Sequence, residues 1–243
     1  MKVVTTFNRD GYELYGKNMI NSWLKFWPAD AELIVYTEDF SLEEKDSRLI
    51  ERDLNICCPN LKIFKEASKV FINENDPKSR RKVDKAIRWS HKVYAISDAL
   101  NLDTHYLMFL DGDTTTKNIV PNTLARDLVS DHLFAVHFET IKGMTHFETG
   151  LIAFNMRHFQ IPTLKKELQA GYDNLEIHRL EKPWDGFWFA HLYKKFKLDV
   201  RNLSNGGVFS NPLVKNLLHH DVGKAKFQRQ GDTYDKYSGR KKS

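Results

Sequence analysis

At 243 residues the chain is long enough to bury one large core or two small ones. Its 41% hydrophobic and 28% charged residues are ordinary for a globular protein, and no apolar run approaches the roughly 20 residues that span a bilayer. The net charge of +5 belongs to the C-terminal segment, where eight Lys/Arg from Lys215 onward face three Asp, so the remainder is neutral overall. The opening "MKVVTTFNRDG" lacks the apolar stretch of a secretory signal, and a cytoplasmic location is the expectation. Cys57 and Cys58 are adjacent and have no other cysteine to pair with, so both are expected to be reduced packing residues. A thiolate zinc site is excluded for want of ligands.

In chain order, "KVVTTF" (Lys2 to Phe7) predicts a short buried strand. Helical spacing follows from Tyr12 through Met19, Ile20 and Trp23 to Trp27, where Pro28 ends it. "ELIVYT" (Glu32 to Thr37) predicts a second strand, and Ser41 is placed to cap a helix over "SLEEKDSRLIERDL". "LKIF" (Leu61 to Phe64) is a candidate third strand. A long helix is expected over Arg81 to Leu100, with Val83, Ile87, Ser90, Tyr94 and Ser97 on one face.

The strand "YLMFL" (Tyr106 to Leu110) then runs into Asp111-Gly112-Asp113. "LFAVHF" (Leu133 to Phe138) and "GLIAFN" (Gly150 to Asn155) predict further strands. Helices are expected over His158 to Ala170 and from Pro183, as a first-turn proline, to Phe196. "LDVRNL" (Leu198 to Leu203) predicts a last short strand. The alternation gives an α/β fold, a single domain with a mostly parallel, Rossmann-like central sheet flanked by helices. The expected organisation is one domain over residues 1–227 and a polar, basic, mobile tail over residues 228–243.

Ligands in open sheets of this class sit beyond the carboxyl ends of the strands, here Thr5 to Asn8 and Asp111 to Asp113. Two carboxylates one residue apart at a rigid strand end suit a hard cation such as Mg²⁺ or Mn²⁺. Gly112 lets the backbone turn so that they converge. The alternative is a helix cap or a solvated turn. Far downstream, "LLHHDVGKAKF" holds His220-x-x-Gly223-x-x-Lys226. An imidazole can complete a metal shell, and glycine and lysine can embrace a diphosphate. The alternative there is a basic surface tail with incidental histidines.

Taken together, these stretches resemble the nucleotide-sugar-dependent glycosyltransferases of the GT-A fold, most closely the glycogenin-like, family 8 type of retaining enzyme. The resemblance runs from Val3 to Lys226. It implies that Asp111, Asp113 and His220 bind Mn²⁺ or Mg²⁺ and that Gly223 and Lys226 hold the diphosphate. By the same likeness Thr6, Asn8 and Tyr12 in "TTFNRDGYELY" contact the nucleotide, and Lys92 is the basic residue on the helix before the aspartates. The chain departs from the family pattern in three places. Phe227 replaces a Pro-Trp after the late lysine, Glu148 stands in Phe147-Glu148-Thr149-Gly150 where the family has asparagine, and Asp185 is the sole carboxylate of "PWDGFWF".

The resulting expectation is a metal-dependent enzyme moving a sugar from a nucleoside-diphosphate sugar, with UDP as the nucleotide, to an unknown glycan, lipid or protein hydroxyl with retention. Glu148 and Asp185 are expected to orient that hydroxyl or take its proton, the alternatives being a satisfied polar group and a helix cap. Trp184, Phe187 and Trp188 read as core before they read as an acceptor platform. A nucleotidyltransferase is the rival enzyme, but Thr5 to Gly11 lacks the Gly-rich basic loop such enzymes carry. A nucleic-acid binder is the third reading; its aromatics are not interleaved with basic residues, so no stable nucleic-acid partner is expected. The basic tail is expected to allow weak contact with an acidic membrane surface.

Overall fold

The computed structural model describes residues 1–141, 143–204 and 209–220. Gly223, Lys226 and the tail over residues 228–243 therefore lie outside the described residues. The chain opens with β1 (Lys2–Asn8), a short turn of helix α1 (Arg9–Gly11), a π-helical turn (Tyr12–Gly16) and α2 (Lys17–Phe26). The helix expected from Tyr12 is thus present, beginning at Arg9 and widened to a π-helical turn over Tyr12–Gly16. Gly16 lies so close to Phe7 that an added Cβ would sit 2.9 Å from the ring, and the widened turn accommodates that approach. Beyond it, Met19, Ile20 and Trp23 face the core as the spacing requires.

Next come β2 (Glu32–Glu38), β3 (Leu49–Asp53), α3 (Leu54–Cys57) and α4 (Asn60–Ser68). Two expectations fail here. No helix begins at Ser41, and "LIERD" is instead the edge strand β3, paired parallel to β2. "LKIF" is helical: Leu61 and Phe64, three apart, are buried, while Lys62 and Ile63 between them are exposed. Both cysteines are free, and Cys58 is buried with its Sγ 3.4 Å from the Tyr94 carbonyl oxygen.

The long helix is α5 (Pro77–Ala99), capped by Asp76, whose side chain accepts from the Lys78 N–H. Val83, Ser90, Tyr94 and Ser97 are buried along it, as its spacing predicts. The remainder runs β4 (Tyr106–Leu110), β5 (Thr114–Thr116), α6 (Leu124–Val129), β6 (Phe134–Ile141), β7 (Met144–Asn155), α7 (Ile161–Asp173), α8 (Asp185–Phe196), β8 (Val200–Asn202) and β9 (Leu218–His220). Pro183 does not open α8. It precedes Trp184, the residue that flanks the first turn.

Seven strands form the central sheet in the order β3-β2-β1-β4-β7-β6-β8. Only β7 runs against its neighbours β4 and β6. Alternate residues feed two cores, one on each face: Val4, Ile34 and Phe109 pack with α4, α5, α7 and α8, whereas Val3, Val35 and Met108 pack with α2 and α6. The short strands β5 and β9 form a separate antiparallel pair beside the carboxyl end of β4. That pair matters most for the site. No helix among the described residues is long and apolar enough to cross a membrane.

Candidate metal and donor-binding site

Asp111 is the first residue after β4, and its N–H donates to the Gly150 carbonyl on β7 at 2.9 Å. Its own carbonyl accepts from the Thr114 N–H at 2.9 Å, so the chain folds back within four residues and enters β5. Gly112 is required at that bend, because a Cβ there would lie 2.4 Å from the Phe7 ring. Strand β5 then pairs Thr114 with His220 and Thr116 with Leu218. The pairing is fixed from below: the Trp27 indole N–H donates to Thr116 Oγ1 at 2.9 Å, and the Thr116 N–H donates to Ser22 Oγ at 3.0 Å.

This construction brings His220 to the two aspartates. Its Nε2 lies 2.9 Å from Asp113 Oδ1 and 3.6 Å from Asp111 Oδ2. One ligand atom from each of the three residues falls within 4.8 Å of the others. Two carboxylates and an imidazole form a donor set suited to a divalent cation. Among the described residues the buried His220 Nδ1 has no hydrogen-bond partner, and the ring packs 5.1 Å from that of Phe209.

Asp111 faces two ways. While Oδ2 looks toward His220, Oδ1 accepts an ion pair from Lys92 Nζ at 2.7 Å. The same ammonium reaches Asp185 Oδ2 at 3.0 Å and the Thr149 hydroxyl at 3.1 Å. Thr149 Oγ1 in turn donates to Asp185 Oδ2 at 2.6 Å. Helix α5 therefore delivers one buried cation between the carboxylates of β4 and α8. Glu148 stands alongside, with Oε1 accepting from the Gly150 N–H at 3.0 Å.

The electrostatics follow from this crowding. Burial opposes the Lys92 charge, but Asp111 and Asp185 outweigh it and hold its pKa above the usual lysine value. Burial lifts the Asp111 carboxyl above its ordinary range, against the pull of Lys92 and His220. Glu148 is likewise raised, by burial first and then by the charge of Asp111. Burial disfavours the His220 imidazolium, yet its bond to Asp113 and the charges of both aspartates raise its pKa overall. Burial raises the Tyr15 phenol, with Asp113 and Asp111 adding to the effect.

The sequence-expected nucleotide contacts divide. Thr6 Oγ1 donates to the Tyr36 carbonyl at 3.1 Å. Asn8 is exposed, and its Oδ1 accepts from the Gly11 N–H at 2.8 Å. Tyr12 is buried in the core, its hydroxyl donating to Glu44 at 2.7 Å and accepting from the Glu43 N–H at 3.1 Å. Trp188 and Phe187 are buried, as the core reading has them, and Trp184 is half-buried. Sequence reasoning missed Thr149, Tyr15 and Phe209. Thr149 alone carried a signal, a hydroxyl inside the motif that holds Glu148.

No family model matches the chain, and no curated protein matches it by sequence. Solved structures do. Mouse xyloside xylosyltransferase 1 shares 12% identity over 84% of this chain and 86% of that one, with a TM-score of 0.55. The galactosyltransferase LgtC, solved with donor and acceptor sugar analogs, shares 13% identity over 92% of this chain and 87% of its own, with a TM-score of 0.51. The fold is that of the GT-A glycosyltransferases.

Proposed function

We propose that the protein is a metal-dependent glycosyltransferase that moves a sugar from a nucleoside-diphosphate sugar, with UDP as the nucleotide, to a hydroxyl acceptor with retention at the anomeric carbon. One observation carries the reading: His220, delivered by β9, meets Asp111 and Asp113 within ligand distance. In this reading Asp111, Asp113 and His220 hold Mn²⁺ or Mg²⁺. The bound cation supplies Lewis-acid neutralisation of the charge that grows on the leaving diphosphate. Retention rests on His220 alone, and the family 8 affinity on the resemblance of the motifs.

The remaining residues have assignable tasks. Lys92 fixes the Asp111 and Asp185 carboxylates, so that both face the reaction centre in one rotamer. Asp185, oriented by Lys92 and Thr149, positions the acceptor hydroxyl or the donor sugar. Glu148, with its raised pKa, is the group suited to take the acceptor proton. Thr6 and Asn8 flank the nucleotide at the end of β1, with Tyr12 packed in the core behind them. Gly223 and Lys226, outside the described residues, are assigned to the diphosphate. Two free thiols fit a reducing, cytoplasmic setting.

The test is calorimetric titration with UDP, GDP and CDP, with and without Mn²⁺. UDP is expected to bind only with the metal, and to weaken about tenfold or more in Asp113→Ala and His220→Ala. Metal-dependent binding that survives Asp113→Ala unchanged would sink the metal assignment. Release of nucleoside diphosphate rather than pyrophosphate separates sugar transfer from nucleotidyl transfer.

A further inference from the structure

Helix α5 carries Arg81, Lys85, Arg88 and Lys92 at spacings that place them along one face. The stripe begins exposed and ends at buried Lys92, which grips Asp111 and Asp185. Beside it lies Trp184, the residue immediately before Asp185. The half-buried indole has Lys85 Nζ 4.3 Å and Lys182 Nζ 5.7 Å from its ring centroid. The charge of Arg88 is felt at Tyr15, next to Asp111 and Asp113.

Among the described residues, Arg81, Lys85, Arg88 and Lys182 make no ion pair. Asp185 is bound by Lys92 and Thr149, and Glu139 lies beside His146 at 3.5 Å. Asp84, on the same helix, pairs with none of the four. Burial, then the charges of Arg81, Arg88 and Lys182, push the Lys85 ammonium below the usual lysine value. Uncompensated cations gathered around an aromatic plate at the lip of a site are arranged for an incoming anion.

We infer that the acceptor is anionic: a saccharide bearing phosphate or carboxylate, its ring against Trp184 and its charge held by Lys85 and Lys182, with Arg81 and Arg88 attracting it along α5. This rests on the glycosyltransferase reading and specifies its second substrate. The convergence of the stripe on Asp185, rather than on a broad outer face, favours a small anionic ligand over a membrane or a nucleic acid.

The full chain, with UDP and Mn²⁺ present, would be titrated with glucose 6-phosphate, glucuronate and neutral glucose while tryptophan fluorescence is followed. The two anionic sugars are expected to bind saturably, about tenfold or more tighter than glucose, and to weaken as salt is raised. Lys85→Gln and Lys182→Gln should each weaken them about tenfold while the melting temperature and UDP–Mn²⁺ affinity stay unchanged. Equal binding of glucose, or indifference to both substitutions, overturns the inference. So does binding of phosphatidylglycerol vesicles or a single-stranded oligonucleotide that the sugar phosphate does not displace. If UDP–Mn²⁺ binds but no anionic sugar does, this inference alone fails. If UDP–Mn²⁺ does not bind the unmodified protein, the glycosyltransferase reading beneath it fails.

Discussion

Lys92 Nζ lies 2.7 Å from Asp111 Oδ1, so the aspartate that faces His220 on one side is held by a buried ammonium on the other. The arrangement sets the orientation of Asp111 before any ligand arrives, and it ties Asp185 to the same point. Removing the cation leaves two buried carboxylates without their common partner. Lys92→Met is expected to cost about 3–5 kcal/mol at pH 7, the magnitude for breaking a buried ion pair from one side. Urea unfolding at pH 7 and pH 5 checks it. The loss should be smaller at lower pH, because burial already lifts the Asp111 carboxyl and its protonation relieves the stranded charge.

His137, on β6 opposite Glu148, sets a second prediction. It is 1% exposed, neither ring nitrogen has a partner among the described residues, and burial pushes its pKa down to about 4. The folded protein keeps this ring neutral while the unfolded chain protonates it below its ordinary pKa near 6.5. Stability is therefore present above that value and falls as pH drops toward about 4, by roughly 3 kcal/mol over the window. His91 and His178, also pushed down to about 4 by burial, add to the same acid slope. In urea titrations from pH 7.5 to 4.5, His137→Phe should flatten the slope by its own share only. An unchanged slope would show that His137 does not titrate with unfolding.

How much of this was written in the sequence depends on range. The apolar runs of β1, β2 and β4 and the periodicity of α5 are local signals, and they place the strand ends correctly. "LKIF" misled because a four-residue apolar run fits a strand and a helix equally, and only the exposure of Lys62 and Ile63 decides. "LIERD" was hidden because an edge strand carries charges on its open faces. The decisive element left no local trace. Strands β5 and β9 have three residues each and lie about a hundred residues apart, yet their register is what sets His220 beside Asp113. The resemblance to a family supplied that link where periodicity offered nothing. The Lys92–Thr149–Asp185 chain of contacts arises only from packing three distant elements together.

Gly171 on α7 offers a stability test that leaves the site chemistry untouched in composition. A Cβ at this position would fall 1.8 Å from Trp188 Cζ2, and the indole is pinned by its N–H donating to the Leu168 carbonyl at 3.0 Å. The ring is buried and stacked on His191 at 5.2 Å, which opposes its retreat. Gly171→Ala is expected to destabilise by about 1–3 kcal/mol or more through overpacking, despite the higher helix propensity of alanine. Thermal unfolding reads it, and a gain in melting temperature would show that α7 and α8 separate more easily than their packing implies.

Gly150 gives the converse case, in which the fold tolerates what the site does not. Its added Cβ would lie 3.0 Å from both Glu148 Oε1 and His220 Cε1, and 3.3 Å from Asp111 Oδ2. These neighbours are the ends of side chains, so each can shift by a few tenths of an ångström, and the cost to folding should stay within about 1 kcal/mol. The three groups that shift, however, are two metal-ligand candidates and the carboxylate beside them. A divalent ion demands defined ligand distances, and small displacements of its ligands weaken binding steeply. Gly150→Ala should therefore keep its melting temperature within a few degrees while Mn²⁺-dependent UDP binding falls about tenfold or more. Calorimetry and thermal unfolding on the same preparation separate the two effects. Undiminished Mn²⁺-dependent binding would mean that Glu148 and His220 reposition freely, and that the glycine is kept for its contact with β4 alone.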